Sequence, residues 1–245
     1  MAGIRKILAA EEGKEFYIKD ASKDFHCQFG LVKAKELKKK DGSTIKTNTE
    51  KELVIFTPSF IDSYKRIKRA PQIITRKDAA MIIAETGINR NSKAVDAGAG
   101  SGAMACFLAN ICKEVTTYEI REDFFSIVKK NKEFLELKNL KIKNKDIYKG
   151  IEERDVDLIT LDLPEPWKAI EHAKKALKTG GFLVSYSPTI PQVIDFISGI
   201  NKDKGLVHLK TMELIERDWE VEERKVRPKT TQTVHTGFLS FVRRV

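Results

Sequence analysis

The sequence predicts an α/β protein with a mostly parallel sheet covered by helices on both faces, preceded by a small β domain. Two observations carry this prediction. From residue 76 onward, short apolar runs alternate with longer segments of helical periodicity, which is typical of parallel strands joined by helices. Before residue 59, short alternating runs are separated by turn signals, which indicates antiparallel β structure.

The N-terminal β domain is predicted over residues 1–58, with a connector over residues 59–75. Its predicted strands cover residues 15–19, 25–33, 44–47 and 53–56. Asp41 and Gly42 form a turn signal before the third of these strands. Pro58 ends the fourth because proline cannot donate a ladder hydrogen bond.

The second predicted domain covers residues 76–245. Its predicted helices are residues 77–86, a helix opened by the glycines of 98–102 and running to 111, and residues 122–137, 168–177 and 191–200. Its predicted strands are a strand ending at 94–96, and residues 115–119, 140–143, 156–163 and 181–186. Residues 206–217 and 234–243 are both strand-like, and we expect them to form an antiparallel hairpin at the sheet edge.

The positive charge of the chain is unevenly distributed. The 245 residues carry a formal net charge of +10. Residues 1–77 hold 18 Lys and Arg against 10 Asp and Glu, whereas residues 78–245 hold 27 against 25. A solvated lysine-rich surface and a surface for a polyanion such as nucleic acid both remain open on charge alone.

The composition predicts a protein of a reducing compartment, the cytoplasm. No apolar run approaches the roughly 18 residues that span a bilayer, and the N-terminus does not resemble a signal peptide. The cysteines Cys27, Cys106 and Cys112 are odd in number and lack a CxxC spacing. We therefore expect no disulfide framework, no metal site and no membrane association.

Residues 95–102, Val-Asp-Ala-Gly-Ala-Gly-Ser-Gly, form the sharpest motif in the chain. Glycines between a strand and a helix let the backbone approach a ligand closely. The candidate binding residues in this loop are Asp96, Gly98, Gly100, Ser101 and Gly102. Glu119, at the end of the next predicted strand, is placed to bind both ribose hydroxyls of a nucleoside.

The spacing of this loop favours one of two cofactors. Dinucleotide sites usually show GxGxxG, but here the glycines follow GxGxG and Asp96 stands two residues before the first. A carboxylate there would repel a pyrophosphate but suits the cationic amino-acid end of S-adenosylmethionine. Asp146, after the third strand, is a candidate acid near the adenine amino group.

Residues 161–167, Leu-Asp-Leu-Pro-Glu-Pro-Trp, end the fourth predicted strand at the edge where open α/β sheets bind ligands. Two prolines fix this loop and remove two N–H donors. The Asp162 carboxylate could accept a hydrogen bond or a proton from an exocyclic amine. Trp167 is expected only to pack against the sheet.

Together these motifs resemble the tRNA adenine N1-methyltransferases that act in the TΨC loop. The resemblance covers nearly the whole chain, and its most specific segments are Tyr-Glu-Ile-Arg at 118–121 and Asp-Leu-Pro-Glu-Pro-Trp at 162–167. It extends to residues 69–74, 77–79, 186–188, 227–228 and 235–238. The family implies a Rossmann-like class I methyltransferase fold with a seven-stranded sheet.

The resemblance also implies an activity and an assembly. It implies methyl transfer from S-adenosylmethionine to tRNA position 58, with position 57 as a further target in archaeal members, by a homotetramer. Gln72 and Asp162 join the implied cofactor-binding residues, and Asp162 becomes the implied catalytic residue. Because N1 is a pairing atom, the base must leave its stack, and Tyr186, His235 and Arg227 are the implied substrate-binding residues.

The chain departs from the family pattern at two places. Thr75 and Arg76 stand where members often have Tyr-Pro, and residues 230–234 lack a frequent methionine. These departures affect how the base would be held, not the cofactor site.

Three rival functions remain at the level of sequence. An NAD(P)-dependent oxidoreductase shares the glycine loop but not its spacing, and no convincing Tyr-x-x-x-Lys motif is found. A non-catalytic RNA-binding subunit of a methyltransferase complex would have eroded cofactor motifs, which are intact here. A methyltransferase acting on a small molecule such as a tetrapyrrole precursor does not need the basic first third.

Overall fold

The computed structural model describes residues 3–69, 73–231 and 233–245. Contacts divide the chain into two compact units. The N-terminal unit comprises Met1–Lys68 together with Lys130–Glu136, and the C-terminal unit comprises Arg69–Lys129 together with Leu137–Val245. Residues 59–68, which the sequence analysis assigned to a connector, are grouped with the N-terminal unit.

The N-terminal unit is an antiparallel β structure. Its elements are β1 (Lys6–Ala9), β2 (Glu15–Ile18), β3 (Phe25–Cys27), β4 (Gly30–Val32), β5 (Thr44–Lys46), β6 (Glu52–Phe56) and the short helix α1 (Phe60–Tyr64). Four of the strands form a sheet in the order β2-β1-β6-β5, and β3 pairs with β4. Buried aliphatic side chains including Leu8, Leu37 and Ile55 form its core.

The predicted strands of this unit are confirmed with one division and one omission. Residues 25–33 form two strands, because the chain turns between Cys27 and Gly30, which has a φ of +105°. Strand β1 was not predicted, although it lies between β2 and β6 and buries Ile7 and Leu8 completely.

The C-terminal unit contains the predicted α/β sheet. Its helices are α2 (Arg76–Thr86), α3 (Ala103–Ala109), α4 (Glu122–Phe134, whose last turn is grouped with the N-terminal unit), α5 (Ile170–Ala176) and α6 (Ile190–Asn201). Its strands are β7 (Lys93–Ala97), β8 (Glu114–Tyr118), β9 (Leu140–Lys143), β10 (Val156–Leu161), β11 (Leu177–Ser187), β12 (Leu206–Glu213), β13 (Trp219–Glu222), β14 (Lys225–Pro228) and β15 (Phe238–Arg244).

Seven of these strands form one sheet in the order β12-β15-β11-β10-β7-β8-β9. The β9, β8, β7, β10 and β11 neighbours pair in parallel, and β15 runs antiparallel to both β11 and β12. The predicted fold is therefore confirmed. The connection between β12 and β15 differs from a simple hairpin, because it carries the separate hairpin β13–β14.

The sheet core explains why the central strands read as apolar runs. Val95, Ile159 and Leu183 are fully buried, and the helices packed on the sheet contribute residues such as Phe196. Parallel strands buried on both faces need apolar side chains at nearly every position. The polar residues that remain at their carboxyl ends are therefore informative about function. None of the described helices is long and apolar enough to cross a membrane.

Candidate active site

A cavity of about 510 Å³ lies at the carboxyl ends of β7, β8 and β10. It is lined by Ile73, Ile74, Asp96, Gly98, Ala99, Gly100, Ala103, Met104, Glu119, Ile120, Arg121, Phe124, Asp162, Leu163 and Pro164. Three segments that are far apart in sequence meet here because their strands are adjacent in the sheet. This is the position at which open α/β sheets bind ligands.

The glycine loop adopts a conformation that only glycine accommodates at low cost. Gly98 has a φ of +81°, and a Cβ atom there would lie 1.9 Å from the carbonyl oxygen of Asp162. Gly102 has a φ of +77°, and its Cβ would lie 2.8 Å from Val128 Cγ1. The first glycine thus allows the loop to touch the strand-four motif, and the third allows helix α3 to approach α4.

Asp96 is held at the floor of the cavity by both neighbouring strands. The register pairs Asp96 with Thr117 of β8 and Thr160 of β10. Each threonine hydroxyl donates to one carboxylate oxygen at 2.8 Å. Burial raises the pKa of Asp96 to about 6, against the opposing effect of these two hydrogen bonds.

Glu119 fastens the glycine loop to the end of β8. Its Oε2 accepts a hydrogen bond from the Gly100 N–H at 2.8 Å, and its Oε1 accepts one from the Arg121 N–H at 2.9 Å. The side chain is buried but lines the cavity. Each carboxylate oxygen retains a further lone pair, so both can accept a ligand hydroxyl.

Asp162 differs from both of these acids. Its N–H donates to the Ala97 carbonyl at 2.9 Å, which fixes the backbone beside the glycine loop. Within the described part of the chain, no group donates a hydrogen bond to its carboxylate, although that carboxylate lines the cavity. Burial, with a smaller contribution from the charge of Asp96, raises the pKa of Asp162 to about 7.

The other predicted cofactor residues lie around the cavity rather than in its wall. The Ser101 side chain is fully buried, and Gly102 contacts Val128. Asp146 accepts a hydrogen bond from the Tyr148 N–H at 2.9 Å and lines a neighbouring cavity that shares Ile120 with the first. Gln72 lies outside the described residues.

Tyr186 and His235 lie near each other but not in the cavity wall. The Tyr186 hydroxyl donates to the Thr236 carbonyl, and burial raises its pKa to about 12. A Cβ atom on Gly237 would lie 2.5 Å from the tyrosine ring, so any side chain there would displace the ring. His235 contacts Glu213 through Nδ1 and the Pro188 carbonyl through Nε2. Both contacts raise the pKa of the imidazole, and the contact with Glu213 has the larger effect.

Arg227 lies on the hairpin β13–β14, outside the cavity. Its Nε donates to Glu220 of the paired strand at 2.7 Å. Its predicted contact with substrate, like those of Tyr186 and His235, stays a prediction.

Sequence reasoning missed a buried ion pair at the start of α2. Lys77 Nζ donates to Asp78 at 2.9 Å, to the Leu214 carbonyl at 2.8 Å and to the Thr236 hydroxyl at 2.6 Å. Asp78 is fully buried and also accepts from Thr75 and Thr236 at 2.7 and 2.9 Å. The pair therefore ties the segment beside Tyr186 to helix α2.

Sequence reasoning also missed the apolar part of the cavity wall. Ile120 follows Glu119 and is 64% exposed, and the Arg121 guanidinium lies 4.0 Å from the centre of the Phe124 ring. The sequence did contain a signal for this wall, because the apolar Ile120 directly follows Glu119, the predicted ribose-binding acid. Together with the acids, these side chains present polar and apolar surfaces on one cavity.

The fold and this site define a Rossmann-like class I methyltransferase. Comparisons with known proteins agree with this class and also identify the family. A family model described as the tRNA methyltransferase complex GCD14 subunit matches residues 57–235. The chain belongs to this family, and it is a methyltransferase rather than an oxidoreductase.

Relatives in archaea and bacteria share most of the chain. The tRNA (adenine(57)-N(1)/adenine(58)-N(1))-methyltransferase TrmI of Methanocaldococcus jannaschii is 33% identical, over 97% of this chain and 94% of its own. The tRNA (adenine(58)-N(1))-methyltransferase TrmI of Thermus thermophilus is 30% identical, over 83% of this chain and 81% of its own. A Candida albicans relative named as the catalytic subunit TRM61 is 27% identical over 64% of this chain and 49% of its own.

Solved structures match the whole chain. A SAM-dependent O-methyltransferase from Thermotoga maritima superposes with a TM-score of 0.84 at 30% identity, over 100% of this chain and 94% of that one. The tRNA (m1A58) methyltransferase TrmI from Aquifex aeolicus has a TM-score of 0.79 at 26% identity, over 100% of this chain and 98% of its own.

Proposed function

We propose that this enzyme transfers a methyl group from S-adenosylmethionine to N1 of an adenine in the TΨC loop of tRNA. The observation that carries the proposal is the Asp162 carboxylate, which lines the cavity beside the glycine loop and has no hydrogen-bond donor among the described residues. Asp162 is partly buried, and a carboxylate that accepts no hydrogen bond from the described residues can accept one from a ligand. The names of the archaeal and bacterial relatives support adenine N1 as the acceptor.

The residues of the cavity fit S-adenosylmethionine. Glu119 would bind the ribose hydroxyls with its remaining lone pairs, and Ile120 would cover a face of the adenine. Asp96 and the glycine loop would hold the amino-acid end, with Asp96 acting as a buried negative charge. Asp146, Ser101, Gly102 and Gln72 remain proposed members of this site.

In this reaction the protein has two tasks: it aligns adenine N1 with the methyl group, and it stabilises the positive charge that forms on the base. When bound, S-adenosylmethionine would supply an electrophilic methyl group: the lone pair of adenine N1 would form the new N–C bond as the S–C bond breaks, and the sulfur would leave as a neutral thioether. Asp162 would accept a hydrogen bond from the N6 amino group, which orients the ring. The same carboxylate would offset the positive charge of 1-methyladenine and could accept an N6 proton.

The base must leave its stack to reach Asp162. Tyr186 and His235 are the proposed pocket walls, and Arg227 is the proposed phosphate contact. Because both His235 nitrogens face acceptors, the imidazole can donate to each only when it is protonated, as the direction of its pKa shift favours. A cation at this point would suit an RNA ligand.

We infer position 58 as the main target and position 57 as a second one. Position 58 occurs in the names of both the archaeal and the Thermus relatives, whereas position 57 occurs only in that of the archaeal relative. The archaeal relative is also the more similar of these two over the full chain. We further propose a homotetramer acting in the cytoplasm, where the free thiols of Cys27, Cys106 and Cys112 would stay reduced.

The test uses labelled S-adenosylmethionine and unmodified tRNA. Asp162→Ala is expected to lower methyl transfer by about two orders of magnitude or more while cofactor binding, measured by calorimetry, is retained. Glu119→Ala is expected to weaken cofactor binding itself. Asp195→Ala removes an exposed carboxylate of α6 in the same unit and serves as the matched control.

Mapping the methylated base then identifies the target. Transcripts in which adenine 57 or 58 is replaced are expected to lose their respective share of the label. Near-normal turnover by Asp162→Ala, or methylation outside the TΨC loop, would refute the proposed function.

A further inference from the structure

A second cavity lies within the N-terminal unit. It measures about 340 Å³ and is lined by Ile4, Tyr17, Lys19, Arg66, Lys68, Lys130, Asn131 and Phe134. Four of these residues are cations, two are aromatic, and none is acidic. All eight belong to the same compact unit, so the cavity does not depend on its partner unit.

The four cations of this cavity are not neutralised. About half of the lysines of the chain pair with carboxylates, and six in this unit do so: Lys6, Lys23, Lys33, Lys39, Lys46 and Lys51. Among the described residues, no Asp or Glu forms an ion pair with Lys19, Arg66, Lys68 or Lys130. Like charges gathered without counter-ions cost free energy, which an anionic ligand would recover.

The segment that carries two of these cations is fixed before any ligand binds. Asn131, fully enclosed, accepts from the Lys68 N–H at 2.9 Å and donates to the Lys68 carbonyl at 2.8 Å. Ile67 is buried between the two cationic residues. The Arg66 guanidinium lies 3.9 Å from the centre of the Tyr17 ring, which is a stacked cation–π contact.

We propose that this cavity binds a nucleotide of the tRNA substrate, with the phosphate among the cations and the base against the Tyr17–Arg66 stack. The inference rests on the proposed function in taking tRNA as the substrate. Single-stranded RNA is typically held by cations along the backbone and by aromatic rings or guanidinium planes against the bases. An acidic protein segment would use the cations but leave the aromatic surface without a role.

The first test separates this cavity from the general positive charge of the unit. Lys68→Gln/Lys130→Gln removes two charges from the cavity. Lys38→Gln/Lys40→Gln removes two from exposed lysines of the same unit that do not line the cavity and form no ion pair with any described residue. Affinity for unmodified tRNA is measured by fluorescence anisotropy over a range of KCl concentrations.

The cavity variant is expected to raise the Kd for tRNA about tenfold or more. It is also expected to reduce the slope of log K against log salt by about 0.7 to 0.9 for each lost phosphate contact. The control should change the Kd by about twofold or less. Equal losses of affinity in the two double variants would overturn the proposal. They would show that the positive charge of the whole unit attracts tRNA without a specific site.

Tyr17 supplies the second test. Tyr17→Leu should weaken tRNA binding several-fold without changing the salt slope, since it removes a stacking surface and no charge. Tyr17→Phe keeps the ring and should bind close to the wild type. Unchanged affinity in Tyr17→Leu would overturn the assignment of a nucleotide.

Binding and methyl transfer are measured separately so that the two proposals can fail separately. In the cavity variant, the KM for tRNA should rise while kcat and the cofactor Kd stay unchanged. If the wild type binds tRNA through the cavity but methylates none, the proposed function fails and the cavity assignment stands. If it methylates tRNA and the cavity variant matches the control, only the cavity assignment fails.

Discussion

Asp96 and Asp162 lie in the same cavity but differ in hydrogen bonding. Asp96 receives hydroxyl donors from Thr117 and Thr160, which favour its ionised form and partly oppose the effect of burial. Asp162 receives none from the described residues, and burial and the charge of Asp96 together raise its pKa to about 7. The acid proposed to meet the substrate is therefore the one whose charged form the folded protein stabilises least.

This difference predicts a pH profile. The ionised Asp162 is the form that would accept the N6 hydrogen bond and offset the charge of the product. We expect kcat/KM to rise with pH through about 7 and then level off, because this quantity reports the free enzyme. Asp162→Asn should be far less active and should lose the part of the rise near pH 7, so that only the part near pH 6 from the ionisation of Asp96 remains.

Thermal unfolding checks the same assignment independently of catalysis. A carboxyl whose pKa is raised by folding contributes stability below its unfolded pKa and loses it as pH rises through the folded value. Asp162→Asn should therefore have a higher Tm than the wild type, by an amount that grows from about pH 4 to about pH 7 and is then constant. Asp195→Asn is the exposed control, and an equal pH trend in both variants would contradict the assignment.

At the level of elements, what could be predicted followed from local sequence. Glycines 98 and 102, the acid after β8 and the prolines after β10 each mark a place where a strand ends, and parallel strands bring those ends together. The fold and the position of the cavity were therefore predictable. What each acid does there was not, because the hydroxyls that bind Asp96 come from strands whose register only the folded sheet sets.

Elements without local signals were missed for physical reasons. Strand β1 has four residues and no turn signal before it, and its place at the centre of a sheet comes from pairing with β2 and β6. The hairpin β13–β14 turns at Glu223, a non-glycine residue with a φ of +52°, so the usual Asn-Gly or Asp-Gly signature is lacking. The Lys77–Thr236 contact joins residues more than 150 positions apart.

The buried pair at the start of α2 gives a prediction at this scale. Asp78→Ala leaves Lys77 as a mostly buried, unpaired charge and should reduce the free energy of unfolding by about 3 to 5 kcal/mol in urea titrations. The double variant Lys77→Met/Asp78→Leu should lose less than Asp78→Ala alone, because no unpaired charge remains. The exposed pair Glu171–Lys175 is the control, and removing it should have little effect.

A loss in Asp78→Ala no greater than in the control would show that this pair is not a tie between α2 and residue 236. The same variants also report on the site. Since Thr236 accepts from Tyr186, loosening this segment should raise the KM for tRNA more than it changes cofactor affinity.

At the scale of the whole molecule, the charge of +10 is not a uniform property. Its excess lies in residues 1–77. The cavity of the N-terminal unit holds four cations without an ion-pair partner among the described residues, and the candidate active site is lined mainly by acids and apolar groups. Such a distribution fits a division in which one unit attracts RNA and the other performs the reaction. The proposed homotetramer would multiply the cationic surfaces offered to one tRNA.

Exposed apolar side chains on the hairpin β13–β14 support that assembly. Val221 and Val226 are cross-strand partners that are 68% and 56% exposed, and Ile215 and Trp219 nearby in sequence are also exposed. Contiguous exposed apolar residues on a hairpin are costly in water and typical of protein interfaces. We expect the hairpin to be covered in the homotetramer.

Sedimentation measurements test this expectation. The wild type should sediment at about four times the 27.8 kDa of one chain. Val221→Lys/Val226→Lys should shift the protein to smaller species, because two charges cannot be buried in an apolar interface without partners. Val54→Lys, at an isolated exposed position of β6, is the control and should remain tetrameric. A wild type that sediments as a single chain at micromolar concentration would refute the homotetramer, and an unchanged double variant would place its interface elsewhere on the chain.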